Sequence, residues 1–98
     1  MNKVLYIVIP CYNEQEVLPE TSKRLREKVN TLRVQDKIDA GSRILFVNDG
    51  SKDRTWNMIQ ELCKKDPVYA GVNLSRNRGH QNALLAGISV AVQHADMI

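Results

Sequence analysis

The sequence predicts an α/β fold of parallel strands with helices on both faces, and three observations point to it. Strand and helix patterns alternate three times along the chain. The first two apolar runs, Val4 to Ile9 and Arg43 to Val47, share one pattern, a buried-type stretch that delivers a polar loop at its carboxyl end. The third observation is size and balance. With 98 residues, 26% charged and 43% hydrophobic, the chain suffices for one small domain with a core and is too short for two.

Val4-Leu5-Tyr6-Ile7-Val8-Ile9 is a continuous apolar run stopped by Pro10, which cannot donate to a ladder, so it reads as a strand buried on both faces at the centre of the sheet. A helix is expected over 16–33, with Pro19 tolerated in its first turn and Val17, Leu18, Leu25, Val29 and Leu32 at helical spacing. Its other face carries Lys23, Arg24, Arg26, Glu27 and Lys28, a solvated surface. After a loop from Gln35 to Ser42, Arg43 to Val47 reads as the second buried strand, ending in Asn48-Asp49-Gly50-Ser51.

The second helix begins near Asp53, whose carboxylate can cap it, and runs through Thr55, Trp56, Met58, Ile59, Leu62 and Cys63 to Asp66-Pro67. Val68 to Leu74 is mixed in polarity, as befits a strand nearer the sheet edge. The last helix, over 80–94, carries Ala83, Leu84, Gly87, Ile88, Ala91 and Val92 on one stripe, small enough in part for close packing on a sheet. Ala95 to Ile98 has the pattern of a new apolar segment beginning.

Composition excludes several classes. A formal net charge of +3, spread over helix faces without a basic run, argues against nucleic-acid binding. Two distant cysteines, Cys11 and Cys63, make neither a disulfide framework nor a zinc site and fit a reducing, cytoplasmic setting. No apolar run approaches the ~18 residues of a membrane span. Neither a G-x-G-x-x-G nor a P-loop pattern is present.

Three loops should emerge at one sheet edge: Pro10 to Glu14, Asn48 to Asp53, and Ser75 to His80. Between them they carry an aromatic ring, carboxylates, two arginines and a histidine. Carboxylates accept from base N–H groups and ribose hydroxyls, while arginines suit phosphates, so the set points to a nucleoside diphosphate. Two readings from other classes compete: a receiver-like signalling domain phosphorylated on Asp49, and an assembly module without ligand affinity. The first lacks an acidic pair at the end of the first strand and a lysine on a later one. Cys11 has no histidine placed to activate it and reads as a small loop residue. His94 reads as structural.

The runs Val8-Ile9-Pro10-Cys11-Tyr12-Asn13-Glu14, Val47-Asn48-Asp49-Gly50-Ser51-Lys52-Asp53-Arg54-Thr55 and Ser75-Arg76-Asn77-Arg78-Gly79-His80-Gln81-Asn82-Ala83, in this order and spacing, resemble the start of a family 2 glycosyltransferase. The likeness is to bacterial polyprenyl-phosphate glycosyltransferases and dolichyl-phosphate mannose synthase, and it covers essentially the whole chain. It implies a Rossmann-like, three-layer, partial GT-A fold with strand order 3-2-1. It implies transfer of a sugar from a nucleoside diphosphate, a UDP-sugar before a GDP-sugar, to an acceptor such as a polyprenyl phosphate.

By the same resemblance the nucleotide is held by Pro10, Tyr12, Asn13, Glu14, Asp49, Ser51, Arg76, Gly79 and His80. Tyr12 would lie along the base, Glu14 would meet the ribose or base edge, Asp49 would accept a base N–H, and Arg76 and His80 would approach the diphosphate. Many family members have lysine at the position of His80, so here a titratable group replaces a fixed charge. Family members hold Mg²⁺ or Mn²⁺ on an Asp-x-Asp motif in the strand after the third helix. None is in this chain, so residues 1–98 are expected to be the nucleotide-binding half, holding no metal, containing no catalytic residue and inactive alone. The acceptor site and any membrane attachment at the cytoplasmic face are expected outside them. The same strand order leaves Val4 to Ile9 with an open edge, through which a homodimer is expected.

Overall fold

The computed structural model of the chain describes residues 2–98. Three strands, β1 (Tyr6–Cys11), β2 (Arg43–Asp49) and β3 (Tyr69–Leu74), alternate with three helices, α1 (Leu18–Val34), α2 (Thr55–Lys65) and α3 (His80–Ala91). The strands form one parallel sheet in the order β1-β2-β3, as expected. Val8 lies opposite Leu45, and Leu45 opposite Ala70.

The centre of the sheet is β2 and not β1. Every β2 residue from Ile44 to Asp49 is buried, whereas β1 is half-buried until Cys11. The reason is neighbours: β2 is paired on both sides, and β1 along its whole length on one side only. Pro10 does not end β1 either, since it pairs with Val47 inside the ladder. Leu5 O accepts from Arg43 N–H on the β2 side, while Tyr6 N–H donates to Met97 O on the other. Alternation therefore turns Pro10, like Tyr6, away from β2, and its missing N–H removes no β1–β2 bond.

The edge expected to be open along Val4 to Ile9 is partly taken. Val4 O accepts from the N–H groups of Asp96 and Met97, Val4 N–H donates to Asp96 Oδ2 at 2.8 Å, and Leu5 pairs in parallel with Met97. The apolar segment anticipated after α3 thus starts beside β1. On that side β1 has Tyr6 N–H already bonded and no N–H at Pro10, which leaves Val8 as its free donor among the described residues. An edge with one donor is a poor template for strand pairing, and this speaks against the homodimer expected there.

Helices α1 and α2 cover one face of the sheet over Leu18, Val29, Ile44, Phe46, Ile59 and Tyr69. The Tyr69 hydroxyl donates to Ser22 O at 2.8 Å, so the one polar tip in that core is satisfied. The charged face of α1 is exposed as expected, with Arg26 reaching Asp66 at 2.6 Å. Helix α3 covers the other face with Ala83, Gly87 and Ala91. A Cβ on Gly87 would lie 2.4 Å from Val8 Cγ1 and 2.7 Å from Val47 Cγ2, so the helix rests almost on the strands. That close approach narrows the contact stripe: Leu84 and Val92, expected on it, are 38% and 60% exposed. His94 lies past the end of α3 and stacks on Tyr6 with ring centroids 6.1 Å apart.

Candidate functional site: three loops at the carboxyl edge of the sheet

Parallel strands bring the loops β1–α1, β2–α2 and β3–α3 to one edge, and specific bonds lock them together. The first two are joined by five hydrogen bonds. Asn13 N–H donates to Ser51 Oγ (3.0 Å), Glu14 N–H to Thr55 Oγ1 (2.8 Å) and Gln15 N–H to Asp53 Oδ2 (3.3 Å). In return Lys52 N–H donates to Asn13 Oδ1 (2.9 Å) and Arg54 N–H to Gln15 Oε1 (3.0 Å). Asn13 takes φ +51°, a left-handed turn that asparagine tolerates, to present its amide this way.

Asp53 lies one residue before the N-cap of α2, which is Arg54, and bonds the first helical residue: its Oδ1 accepts from Thr55 N–H at 2.9 Å and from the Thr55 hydroxyl at 2.5 Å. Desolvation acts to raise its carboxyl, but the bonds from the Thr55 hydroxyl, Thr55 N–H and Gln15 N–H outweigh this and hold it below the ordinary carboxylate value.

The third loop is seated on the second. Gly50 has φ +67°, and a Cβ there would come within 2.2 Å of Asn77 N and 2.3 Å of Arg76 C. Beneath it, Asp49 shares the α3 face of β2 with Leu45 and Val47 and has no exposed surface. Its Oδ1 accepts from Arg78 N–H at 2.7 Å, and its Oδ2 is buried with no hydrogen-bond partner among the described residues. Buried acceptors are nearly always paired, so this unpartnered carboxylate oxygen stands out in an otherwise bonded loop assembly.

Of the other residues singled out in the sequence, Pro10 is half-buried within β1, Tyr12 and Glu14 are half-buried on the loop after it, and Arg76 and Gly79 on the third loop and His80 at the start of α3 are exposed. Asn13 and Ser51 face each other across the first two. Cys11 is buried, and burial first, then the Glu14 carboxylate, push its thiol up to about 12, so it is no nucleophile. The role of Thr55 was not legible in the sequence, because its partner Glu14 lies 41 residues away and no local pattern announces it.

A cavity of ≈ 270 Å³ opens on the α2 side between Asn48, Asn73 and Trp56. Asp53 is the one charged residue lining it. Arg76 is exposed on the loop that covers Asp49, and His80 is exposed at the start of α3. For a divalent ion the donors do not fit. No group of three or more His, Cys, Asp or Glu able to hold a metal occurs among the described residues, and both oxygens of Asp53 are occupied by N–H or O–H donors. No described helix is long and apolar enough to cross a membrane.

Comparison with known proteins gives the same direction. Residues 6–94 match the model of the family "Glycosyl transferase family 2". The chain is 47% identical over 95 residues to the uncharacterized glycosyltransferase YkoT of Bacillus subtilis, covering 97% of this chain and 28% of that protein. It is 36% identical over 85 residues to the bactoprenol glucosyl transferase of Shigella phage SfV, covering 87% and 26%. With the prophage bactoprenol glucosyl transferase homolog of Escherichia coli it shares 35% over 91 residues, covering 91% and 27%. The chain thus spans about a quarter of the length of the curated relatives it matches.

Proposed function

Because the chain belongs to glycosyl transferase family 2, we propose that its three loops bind the nucleoside diphosphate of a sugar donor. The observation that carries this reading is the orphan Asp49 Oδ2, an acceptor of the right chemistry for the imide N–H of uracil or the N–H groups of guanine. Tyr12 provides a ring for the base and Glu14 a carboxylate for ribose hydroxyls, with Pro10, near the end of β1, leading into the loop that carries them. Arg76 and His80 meet the diphosphate, Gly79 with φ +87° leaves its path open, and Asn13 and Ser51 complete the rim. The divalent cation implied by the family resemblance finds no group of three or more His, Cys, Asp or Glu to hold it among the described residues.

For a protein of the relatives' length, the reaction proposed is transfer of the sugar from a nucleoside diphosphate, UDP before GDP, to a polyprenyl phosphate. The names of the phage and prophage relatives support that acceptor. Such an acceptor is membrane-borne, so the proposed site of action is the cytoplasmic membrane face, with the present residues supplying the donor half and lacking activity alone.

Calorimetric titration with UDP tests the reading. Binding is expected with and without Mg²⁺, and Asp49→Asn, which replaces an acceptor oxygen by a donor, should weaken it by about tenfold or more. Absence of binding would leave the chain an assembly module, and binding only with Mg²⁺ would overturn the placement of the metal outside it.

A further inference from the structure

We infer that Thr55 and Asp53 are positioning residues for nucleotide recognition, a hydroxyl–carboxylate relay that fixes the Tyr12–Glu14 segment against the β2–α2 loop. The inference rests on the nucleotide reading above and adds residues that touch no ligand. Thr55 has no exposed surface. Its hydroxyl accepts from Glu14 N–H at 2.8 Å and donates to Asp53 Oδ1 at 2.5 Å, while Asp53 Oδ2 accepts from Gln15 N–H at 3.3 Å.

The chemistry requires both partners. A hydroxyl is the smallest side-chain group that accepts and donates at once, and an ionised carboxylate orients its proton so that the lone pairs face Glu14 N–H. Glu14 O in turn accepts from Val17 N–H and Leu18 N–H, so the relay also fixes the turn that starts α1. Together with the bonds of Asn13 to Ser51 and Lys52, these bonds define the position of the backbone that carries Tyr12 and Glu14. Preorganisation of this kind appears as affinity, because a loop already ordered gives up less freedom when the ligand arrives.

The test is a pair of substitutions at one atom. Thr55→Val keeps the side-chain shape and removes the hydroxyl; Thr55→Ser keeps the hydroxyl. Thr55→Val is expected to speed amide hydrogen exchange at Glu14 and Gln15 without nucleotide and to raise the UDP dissociation constant about tenfold, with Thr55→Ser restoring both. If Thr55→Val does not fold, Gln15→Ala, an exposed member of the clamp that accepts from Arg54 N–H, should weaken UDP about threefold. Unchanged exchange at Glu14 together with unchanged UDP affinity in Thr55→Val overturns the proposal. Failure of the unsubstituted chain to bind UDP removes the nucleotide reading, and the exchange measurement then decides the clamp by itself.

Discussion

Gly50 shows how much a single position decides at this edge. Its φ of +67° is one that side chains resist, and the missing Cβ is the space into which Arg76 and Asn77 pack. Gly50→Ala therefore meets two penalties at once, backbone strain of about 1–2 kcal/mol and displacement of the third loop. We predict a loss of about 2 kcal/mol or more in chemical denaturation, and an unchanged midpoint would show that the loop is not seated as described. Asp49 sits directly below. The sequence marks both residues, because Asn-Asp-Gly after an apolar strand is a turn with polar groups at a strand end. It cannot show that one oxygen of Asp49 is taken by Arg78 N–H and the other by nothing, since that depends on a loop 29 residues on.

At the level of elements, α3 behaves unlike the other helices. It approaches β1 and β2 through Ala83, Gly87 and Ala91, and its larger residues Leu85 and Val92 face outward, each 60% exposed. In an ordinary helix Gly→Ala gains about 1 kcal/mol. At Gly87 the new methyl would press on Val8 and Val47, an overpacking that costs about 1–3 kcal/mol, so Gly87→Ala is predicted to destabilise by about 1 kcal/mol in the same denaturation assay. A stabilising Gly87→Ala would mean that α3 stands further from the sheet. The existence and order of all six elements could be read from apolar periodicity. The face of α3 could not, because Leu84 and Val92 are as apolar as a contact residue and only the depth of packing excludes them. Pro10 misled for a related reason: it forbids a ladder bond only on the side it faces, and that side depends on register.

For the whole molecule, the sheet is centred on β2, with the carboxyl ends of β1, β2 and β3 each contributing one loop to a single bonded assembly. The buried charge is at the end of that central strand, where neighbouring elements on both sides exclude water. The first strand, most apolar in sequence, is the less buried of the two, since burial follows neighbours as well as composition. The assembly brings aromatic, acidic and cationic residues far apart in the chain to one edge of the sheet. Amide shift mapping of the chain with UDP tests that claim most directly. The account predicts perturbations at Tyr12, Glu14, Asp49 and residues 76–80, with the opposite end of the sheet around Ala40 and Gly41 unmoved. Perturbations confined to the cavity between Asn73 and Trp56, or none at saturating UDP, would contradict it.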